Sequence, residues 1–186
     1  KNFRNEGMDK THNPEFTCME LYVSYKDLNW GMTFTENMLE QICIAVNGKP
    51  EVEIDGKTIS FKAPFRRLPI LDAIKEKTGY DLYPMTEDEI RQTAMKLGIE
   101  VDETMGKGKL IDEIFGETCE GDFIQPTFIT DYPVEMSPLT KMHRSKPGLT
   151  ERFELMVNGK ELANAYSELN DAIDQEERFI EQMRLA

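Results

Sequence analysis

The sequence has few residues that bind metals through nitrogen or sulfur. Its 186 residues include three cysteines, Cys18, Cys43 and Cys119, and two histidines, His12 and His143. Three widely spaced cysteines match no zinc motif and are typical of reduced thiols in a cytosolic protein. Two histidines are too few for a metal site built on histidine. We therefore expect no zinc site and no chemical role for His143 or the cysteines.

Basic residues and long apolar runs are also scarce. Lys and Arg number 22 against 35 Asp and Glu, which gives a formal net charge of −13. Phosphate neutralisation requires basic residues, so bulk charge does not favour nucleic-acid binding. The charge suits a small cationic ligand better, although an acidic surface commonly serves only solubility. No apolar run approaches the roughly 20 residues of a membrane helix, and no signal peptide is recognisable. We expect no membrane association.

The first residue is Lys1, inside a predicted strand, and it is not preceded by a methionine. We therefore expect the chain to be a piece of a longer protein.

Hydrophobic periodicity predicts helices separated by paired strands. The predicted helices cover 33–48, 70–79, 86–98, about 108–120 and 171–185. In the first, Thr35 is the expected N-cap, and the expected apolar stripe is Met38, Leu39, Ile42 and Val46. The second is expected to end at Gly79, the third to begin with a Thr86–Glu89 capping box, and the last to be capped by Asp171. The predicted strands are a hairpin over 51–61 turning at Asp55-Gly56, a buried strand within 123–133, and a hairpin over 152–169 turning at Asn158-Gly159. This order predicts the α+β class, with a mainly antiparallel sheet flanked by helices.

The opening stretch "FRNEGMDKTHNPEFTCMELY" (3–22) predicts two strands around a polar loop. Side chains two apart on a strand share a face, which places Arg4 with Glu6. By the same rule one face of the second strand carries Phe16, Cys18, Glu20 and Tyr22. Because a structural strand normally buries apolar residues, this charged and aromatic face predicts a binding site.

The second hairpin brings two acids together. A two-residue turn at Asn158-Gly159 pairs Met156 with Glu161, so Glu154 and Glu161 are diagonal neighbours on one face. Such diagonals lie about 7–8 Å apart, close enough for both carboxylates to hold one hard cation such as Mg²⁺. The alternative at this point is that each carboxylate faces solvent.

Several blocks in one order carry a family resemblance. They are Arg4 to Gly7, His12 to Thr17, Met19 to Tyr22, "IQPTFITDYPVEMSPL" (124–139), "HRSKPGLTERFEL" (143–155) and "NGKELANAYSELNDAIDQEERF" (158–179). Together they resemble the class II aminoacyl-tRNA synthetases, and in detail the bacterial-type, lysine-specific branch. The resemblance implies that 1–186 is part of the catalytic domain. The anticodon-binding domain and the first and third signature motifs would lie outside it.

The resemblance also implies substrates and residue roles. It implies ATP-dependent activation of L-lysine, transfer to the acceptor end of tRNA(Lys), Mg²⁺ with ATP, and a cytoplasmic homodimer in the full-length protein. Arg4 would be the catalytic ligand of the α-phosphate. The ATP-binding residues would be Arg4, Glu6, His12, Asn13, Phe16, Glu154 and Glu161, of which Glu154 and Glu161 would bind the metal. The lysine-binding residues would be Glu20, Tyr22, Asn164, Tyr166 and Glu168.

Some questions stay open at this level. Glu161 and Asn164 are three apart, so a regular strand would send them to opposite faces. We expect either a bulge between them, with Ala163 as a candidate position, or one wrong assignment. Arg152 is either a phosphate neighbour or part of a structural ion pair. Two other functions remain alternatives: a paralogue that lysylates a protein such as a translation elongation factor, and a non-catalytic interaction module.

Overall fold

The computed structural model describes residues 1–5, 7–9 and 12–185. The strands of the described residues are β1 (Asn2–Phe3), β2 (Glu15–Phe16), β3 (Glu51–Ile54), β4 (Lys57–Ser60), β5 (Arg66–Pro69), β6 (Thr127–Thr130), β7 (Arg152–Val157) and β8 (Lys160–Tyr166). Their helices are α1 (Leu28–Asn47), α2 (Ile70–Thr78), α3 (Glu87–Lys96), α4 (Lys107–Thr118) and α5 (Ala172–Leu185). None of these helices is long and apolar enough to cross a membrane.

The main sheet has the strand order β5-β6-β7-β8. Strands β6, β7 and β8 are antiparallel neighbours, whereas β5 runs parallel to β6. The parallel pair arises because β5 is connected to β6 through α2, α3 and α4 and not through a tight turn. All four residues of β6 are buried, which confirms the buried strand predicted within 123–133. The chain is thus α+β with a mainly antiparallel sheet, as predicted.

The sheet separates two apolar clusters. One lies on the α1 side and comprises Met32, Ile59, Phe65, Phe128, Phe153, Leu155 and Val157. The other is built mainly from α2, α3 and α4 and includes Ile129, Tyr132 and Met156. Because side chains alternate along a strand, Arg152 and Glu154 share the face of Met156. They therefore lie on the same side of the sheet as α2, α3 and α4.

Most helix boundaries follow the local signals. Helix α2 ends at Gly79, and α3 begins with the Thr86–Glu89 capping box, in which both reciprocal hydrogen bonds are present. The Asp171 side chain accepts hydrogen bonds from the first turn of α5. The β3–β4 hairpin turns at Asp55-Gly56, where both residues have positive φ. These predictions are confirmed.

The predicted start of α1 is wrong. The helix begins at Leu28, and the Asp27 side chain accepts a hydrogen bond from the Trp30 N–H at 2.9 Å. Thr35, the expected cap, lies inside the helix and donates to the Gly31 carbonyl at 2.8 Å. The expected cap is therefore eight residues too late, at Thr35 instead of Asp27. Threonine is favoured at helix caps but also occurs inside helices, where its hydroxyl bonds to the carbonyl four residues earlier.

The predicted apolar stripe of α1 is wrong in part. Ile42 and Val46 are exposed, whereas the buried residues of this helix are Met32, Glu36 and Cys43. Glu36 is buried because its carboxylate accepts from the Phe65 backbone N–H at 3.0 Å and from Arg67 at 3.1 Å. A charged residue therefore occupies a core-facing position, which hydrophobic periodicity cannot anticipate.

The opening strands are much shorter than predicted. β1 and β2 pair antiparallel, Asn2 with Phe16 and Phe3 with Glu15, and then end. Residues 17–23 are exposed and outside any strand, so Cys18, Glu20 and Tyr22 do not share a strand face. In the described part of the chain no strand pairs with this segment. A strand needs a partner, which is why alternation alone did not suffice here.

Candidate functional site

A β-bulge on β8 sets the candidate site. As predicted, Val157 pairs with Lys160 and Met156 with Glu161 around the Asn158-Gly159 turn. The register then shifts, because Leu155 pairs with Ala163 and Leu162 is left without an opposite residue. The bulge expected between Glu161 and Asn164 is present, but at Leu162 instead of Ala163. The difference has a packing reason: Ala163 packs against the α1-side cluster, whereas Leu162 is 52% exposed.

The bulge places the predicted residues of β7 and β8 on one face. Glu154 pairs with Asn164, and Arg152 pairs with Tyr166. Since opposite residues of an antiparallel pair share a face, Glu161, Asn164 and Tyr166 join Glu154. The conflict of parity that the sequence posed is resolved by one extra residue.

Glu154 is a largely buried acid with a cationic neighbour. Its Oε1 accepts hydrogen bonds from Arg152 Nη2 and, at 3.4 Å, from Asn164 Nδ2. Only 16% of the Arg152 side chain and 17% of the Glu154 side chain are exposed. Burial raises the pKa of Glu154; the Arg152 charge opposes this shift, and the Glu161 charge reinforces it. The interpretation that both carboxylates simply face solvent is wrong for Glu154, although Glu161 is exposed.

The acid pair fits one particular kind of metal site. No group of three or more His, Cys, Asp or Glu side chains converges in the residues that the structure describes. Mg²⁺ commonly binds one or two carboxylates and completes its octahedron with water and substrate phosphates. Glu154 and Glu161, two acids that repel each other on one face, therefore fit a Mg²⁺ ion that arrives with a nucleotide. They do not form an all-protein metal cage.

Three of the predicted lysine-binding residues are neighbours. Burial raises the pKa of Tyr166, and the nearby Glu168 and Tyr22 add to this shift. Tyr22 is 77% exposed, so it reaches this neighbourhood from the irregular segment and not from a strand. Glu20 belongs to the same segment and is also exposed. Glu168 forms an isolated bridge with Thr140 beyond the end of β8.

The opening hairpin packs a cation on an aromatic ring. The guanidinium carbon of Arg4 lies 5.3 Å from the centroid of the Phe16 ring, within cation–π range. These are the residues predicted to hold the α-phosphate and the adenine. The hairpin is a separate two-stranded sheet, and the reach of Arg4 to the β7–β8 face stays a prediction.

The described residues of the loop between β1 and β2 form hydrogen bonds with one another. His12 donates its backbone N–H to Asp9 Oδ1 at 2.7 Å, and His12 Nδ1 lies 2.9 Å from Asp9 Oδ2. Asn13, predicted to bind ATP, accepts a hydrogen bond at Oδ1 from the Glu15 N–H at 3.3 Å and so supports the loop. Glu6, the remaining predicted ATP ligand, lies outside the described residues.

The role of Arg152 stayed open in the sequence, and the structure places this residue in an ion pair with Glu154.

The sequence did not predict a second charged cluster, which is centred on Glu151. This buried carboxylate accepts hydrogen bonds from Arg144 at 2.6 and 3.1 Å and from Ser167 at 2.8 Å. Glu151 thus joins Arg144, in the loop after β6, to Ser167, the residue before Glu168. Strand parity could have found Arg152, because it lies two residues from Glu154. No local signal marks the Arg144–Glu151 pair.

Comparison with known proteins gives consistent matches. The family described as tRNA synthetases class II (D, K and N) matches residues 1–185. Over all 186 residues the chain is 68% identical to a lysine–tRNA ligase of Porphyromonas gingivalis (strain ATCC BAA-308 / W83). It is 66% identical to one of Christiangramia forsetii and 60% identical to one of Azobacteroides pseudotrichonymphae. These matches cover 32%, 33% and 37% of the relatives, so the chain spans about a third of their length.

Proposed function

Because the chain belongs to the class II tRNA synthetases of the D, K and N group, we propose that the protein containing it is a lysine–tRNA ligase. It activates L-lysine with ATP and transfers the lysyl group to the acceptor end of tRNA(Lys). The observation that carries the proposal is the single face of β7 and β8 on which Glu154, Glu161 and Asn164 lie. Similarity over all 186 residues of the chain to proteins named lysine–tRNA ligase supports it.

The activation step needs positioning more than proton transfer. The lysine carboxylate attacks the α-phosphorus of ATP, and the bond between that phosphorus and the pyrophosphate oxygen breaks. Because the carboxylate is already ionised, no general base is required. Arg4 orients the α-phosphate with its planar fork and offsets the charge of the transition state. Phe16 stacks on the adenine, while Glu6 and His12 contact the nucleotide.

Glu154 and Glu161 would hold Mg²⁺ together with the ATP phosphates. When bound, the ion would supply Lewis-acid polarisation and draw charge toward the pyrophosphate leaving group. Without Mg²⁺ the two carboxylates would repel the negatively charged ATP phosphates.

Lysine is selected through its ammonium group. An ammonium taken out of water costs several kcal/mol unless it is paired. Glu20 and Tyr22 supply a carboxylate and a phenol for it, and Asn164, Tyr166 and Glu168 complete the lysine site. An amino acid without a side-chain ammonium would leave a carboxylate of the site unpaired. Such an unpaired group can favour the correct substrate over its competitor by a factor of roughly 10⁴ or more.

The setting of this reaction is also part of the proposal. Residues 1–186 form part of a catalytic domain, in a cytoplasmic homodimer that meets the acceptor end of tRNA(Lys). Contacts to the rest of the tRNA belong to other segments, which accords with the net charge of −13 here.

The test is aminoacylation by the protein that contains this chain. Purified protein is incubated with ATP, Mg²⁺ and one radiolabelled amino acid: lysine, aspartate or asparagine. We expect label on tRNA with lysine only. Label on tRNA with aspartate or asparagine contradicts the assigned substrate, and label on an added translation elongation factor but not on tRNA favours the protein-lysylating paralogue. Absence of label on every acceptor supports the non-catalytic module.

A further inference from the structure

The guanidinium of Arg152 is fixed by groups other than Glu154. Its Nη1 donates to the Met136 carbonyl at 2.9 Å and to Ser137 Oγ at 3.1 Å. Its carbon lies 4.5 Å from the centroid of the Tyr132 ring. Ser137 and Tyr132 are both buried. Arg152 therefore keeps its place whether or not Glu154 is engaged elsewhere.

From this fixed position Arg152 reaches two residues of the proposed site. Nη2 donates to Glu154 Oε1, and Nε donates to Asn164 Oδ1 at 3.2 Å. Asn164 in turn donates through Nδ2 to the same Glu154 Oε1. One guanidinium thus sets the amide orientation of Asn164 and the carboxylate plane of Glu154.

Arg152 and Asn164 hold Glu154 through the same oxygen. Both of their hydrogen bonds end on Oε1. The buried hydroxyl of Tyr132 also lies close to this carboxylate. When one oxygen of a carboxylate is held by hydrogen bonds, the other oxygen points in a defined direction. Residues that contact metal ligands commonly orient them in this way.

We propose that Arg152 is a positioning residue that orients Glu154 for magnesium and links it to Asn164. The inference rests on the proposed function, because it assumes that Glu154 is a metal ligand. It assigns to one arginine the relative placement of the metal site and the amino-acid site.

The test variant must keep the positive charge. Removing a cation near Mg²⁺ would strengthen metal binding electrostatically and would hide the loss of orientation. Arg152→Lys keeps the charge but loses the fork that contacts two partners at once. The matched control is Arg178→Lys: Arg178 donates to the Ser137 and Thr140 carbonyls at 3.2 and 2.7 Å and does not touch Glu154.

The experiment titrates the protein that contains this chain into a fixed amount of MnCl₂ and a non-hydrolysable ATP analogue, and follows by electron paramagnetic resonance the Mn²⁺ that is not bound to protein. We expect Arg152→Lys to weaken Mn²⁺ binding about 10-fold or more, as is usual for partners of metal ligands, and Arg178→Lys to leave it unchanged. The Mg²⁺ midpoint of lysine-dependent exchange of pyrophosphate into ATP should shift by a similar factor. Thermal melting confirms that each variant is folded.

The outcomes separate the two levels of inference. Wild-type protein that binds Mn²⁺ no better than Glu154→Gln eliminates the metal site, and the role of Arg152 falls with it. Wild-type binding with equal affinities for Arg152→Lys and Arg178→Lys overturns the role of Arg152 alone. If Arg152→Lys does not fold, Ser137→Ala replaces it, because this change removes one anchor of Arg152 and touches neither Glu154 nor Asn164. Weaker Mn²⁺ binding by that variant supports the proposal, and unchanged binding refutes it.

Discussion

Gly108 offers the sharpest test of the packing behind the site. It lies in the first turn of α4, and a Cβ at this position would come 3.0 Å from the Glu135 carbonyl carbon, 3.0 Å from its Cβ and 3.1 Å from its carbonyl oxygen. Backbone and Cβ atoms cannot rotate away, so Gly108→Ala should cost about 1–3 kcal/mol in overpacking. The better helix propensity of alanine returns about 0.5–1 kcal/mol. We expect a net loss of about 1 kcal/mol.

Gly116 in the same helix is the matched control. A Cβ there meets only the flexible end of the Glu120 side chain, at 3.7 Å. Gly116→Ala should therefore stabilise the chain by about 0.5–1 kcal/mol. Urea denaturation of the 186-residue chain, followed by circular dichroism and by the fluorescence of Trp30, its single tryptophan, measures both changes. A Gly108→Ala variant as stable as the wild type would refute this account of α4 packing.

Three other predictions concern charge, selectivity and the isolated chain. The hydrogen bonds from Arg144 hold the pKa of Glu151 below its ordinary value of 4.5, so its stabilisation is complete above about pH 4.5 and is lost as the pH falls through the lower folded-state pKa. Glu151→Gln should lower the free energy of unfolding by about 1–3 kcal/mol at pH 7, and denaturation curves below pH 4 should show the difference shrinking; a constant difference would contradict the assigned cause. Glu20→Gln in the longer protein should raise the KM for lysine by orders of magnitude with little change in the KM for ATP, and an unchanged lysine KM removes Glu20 from the site. The isolated 186 residues should give a cooperative urea transition but exchange pyrophosphate several powers of ten more slowly than the longer protein, since each missing transition-state contact is worth roughly 3–4 kcal/mol; comparable rates would contradict this.

Local chemistry explains what the sequence could predict. The Asp55-Gly56 and Asn158-Gly159 turns, the Thr86 capping box and the Asp171 cap depend on neighbours within a few residues. A short stretch of sequence is therefore enough to predict their geometry, and the structure confirms these predictions.

Long-range partners explain what the sequence could not predict. Glu36 is buried because residues 29 and 31 positions further on donate to it. The segment after β2 lacks a pairing strand among the described residues, so its alternation produced no strand. In both cases the deciding partner is distant in sequence.

The candidate site falls between these cases. The parity of Glu161 and Asn164 required a bulge or an error, and the bulge is present. Its position at Leu162 depended on which side chain packs against α1-side residues, which is a tertiary property. The role of Arg152 depended on Met136 and Ser137, whose proximity no strand pattern encodes.

The most direct test of the central claim is lysine-dependent exchange of radioactive pyrophosphate into ATP by the protein that contains this chain. The wild type, Glu154→Gln and Glu161→Gln are compared over a range of Mg²⁺ concentrations, with Glu53→Gln, an exposed acid on β3, as a control. If one face of β7 and β8 binds the metal–ATP complex, either site variant should reduce exchange by at least about 10-fold and raise the Mg²⁺ requirement, while Glu53→Gln should resemble the wild type. Lysine-dependent exchange that is unchanged in both site variants would contradict the claim.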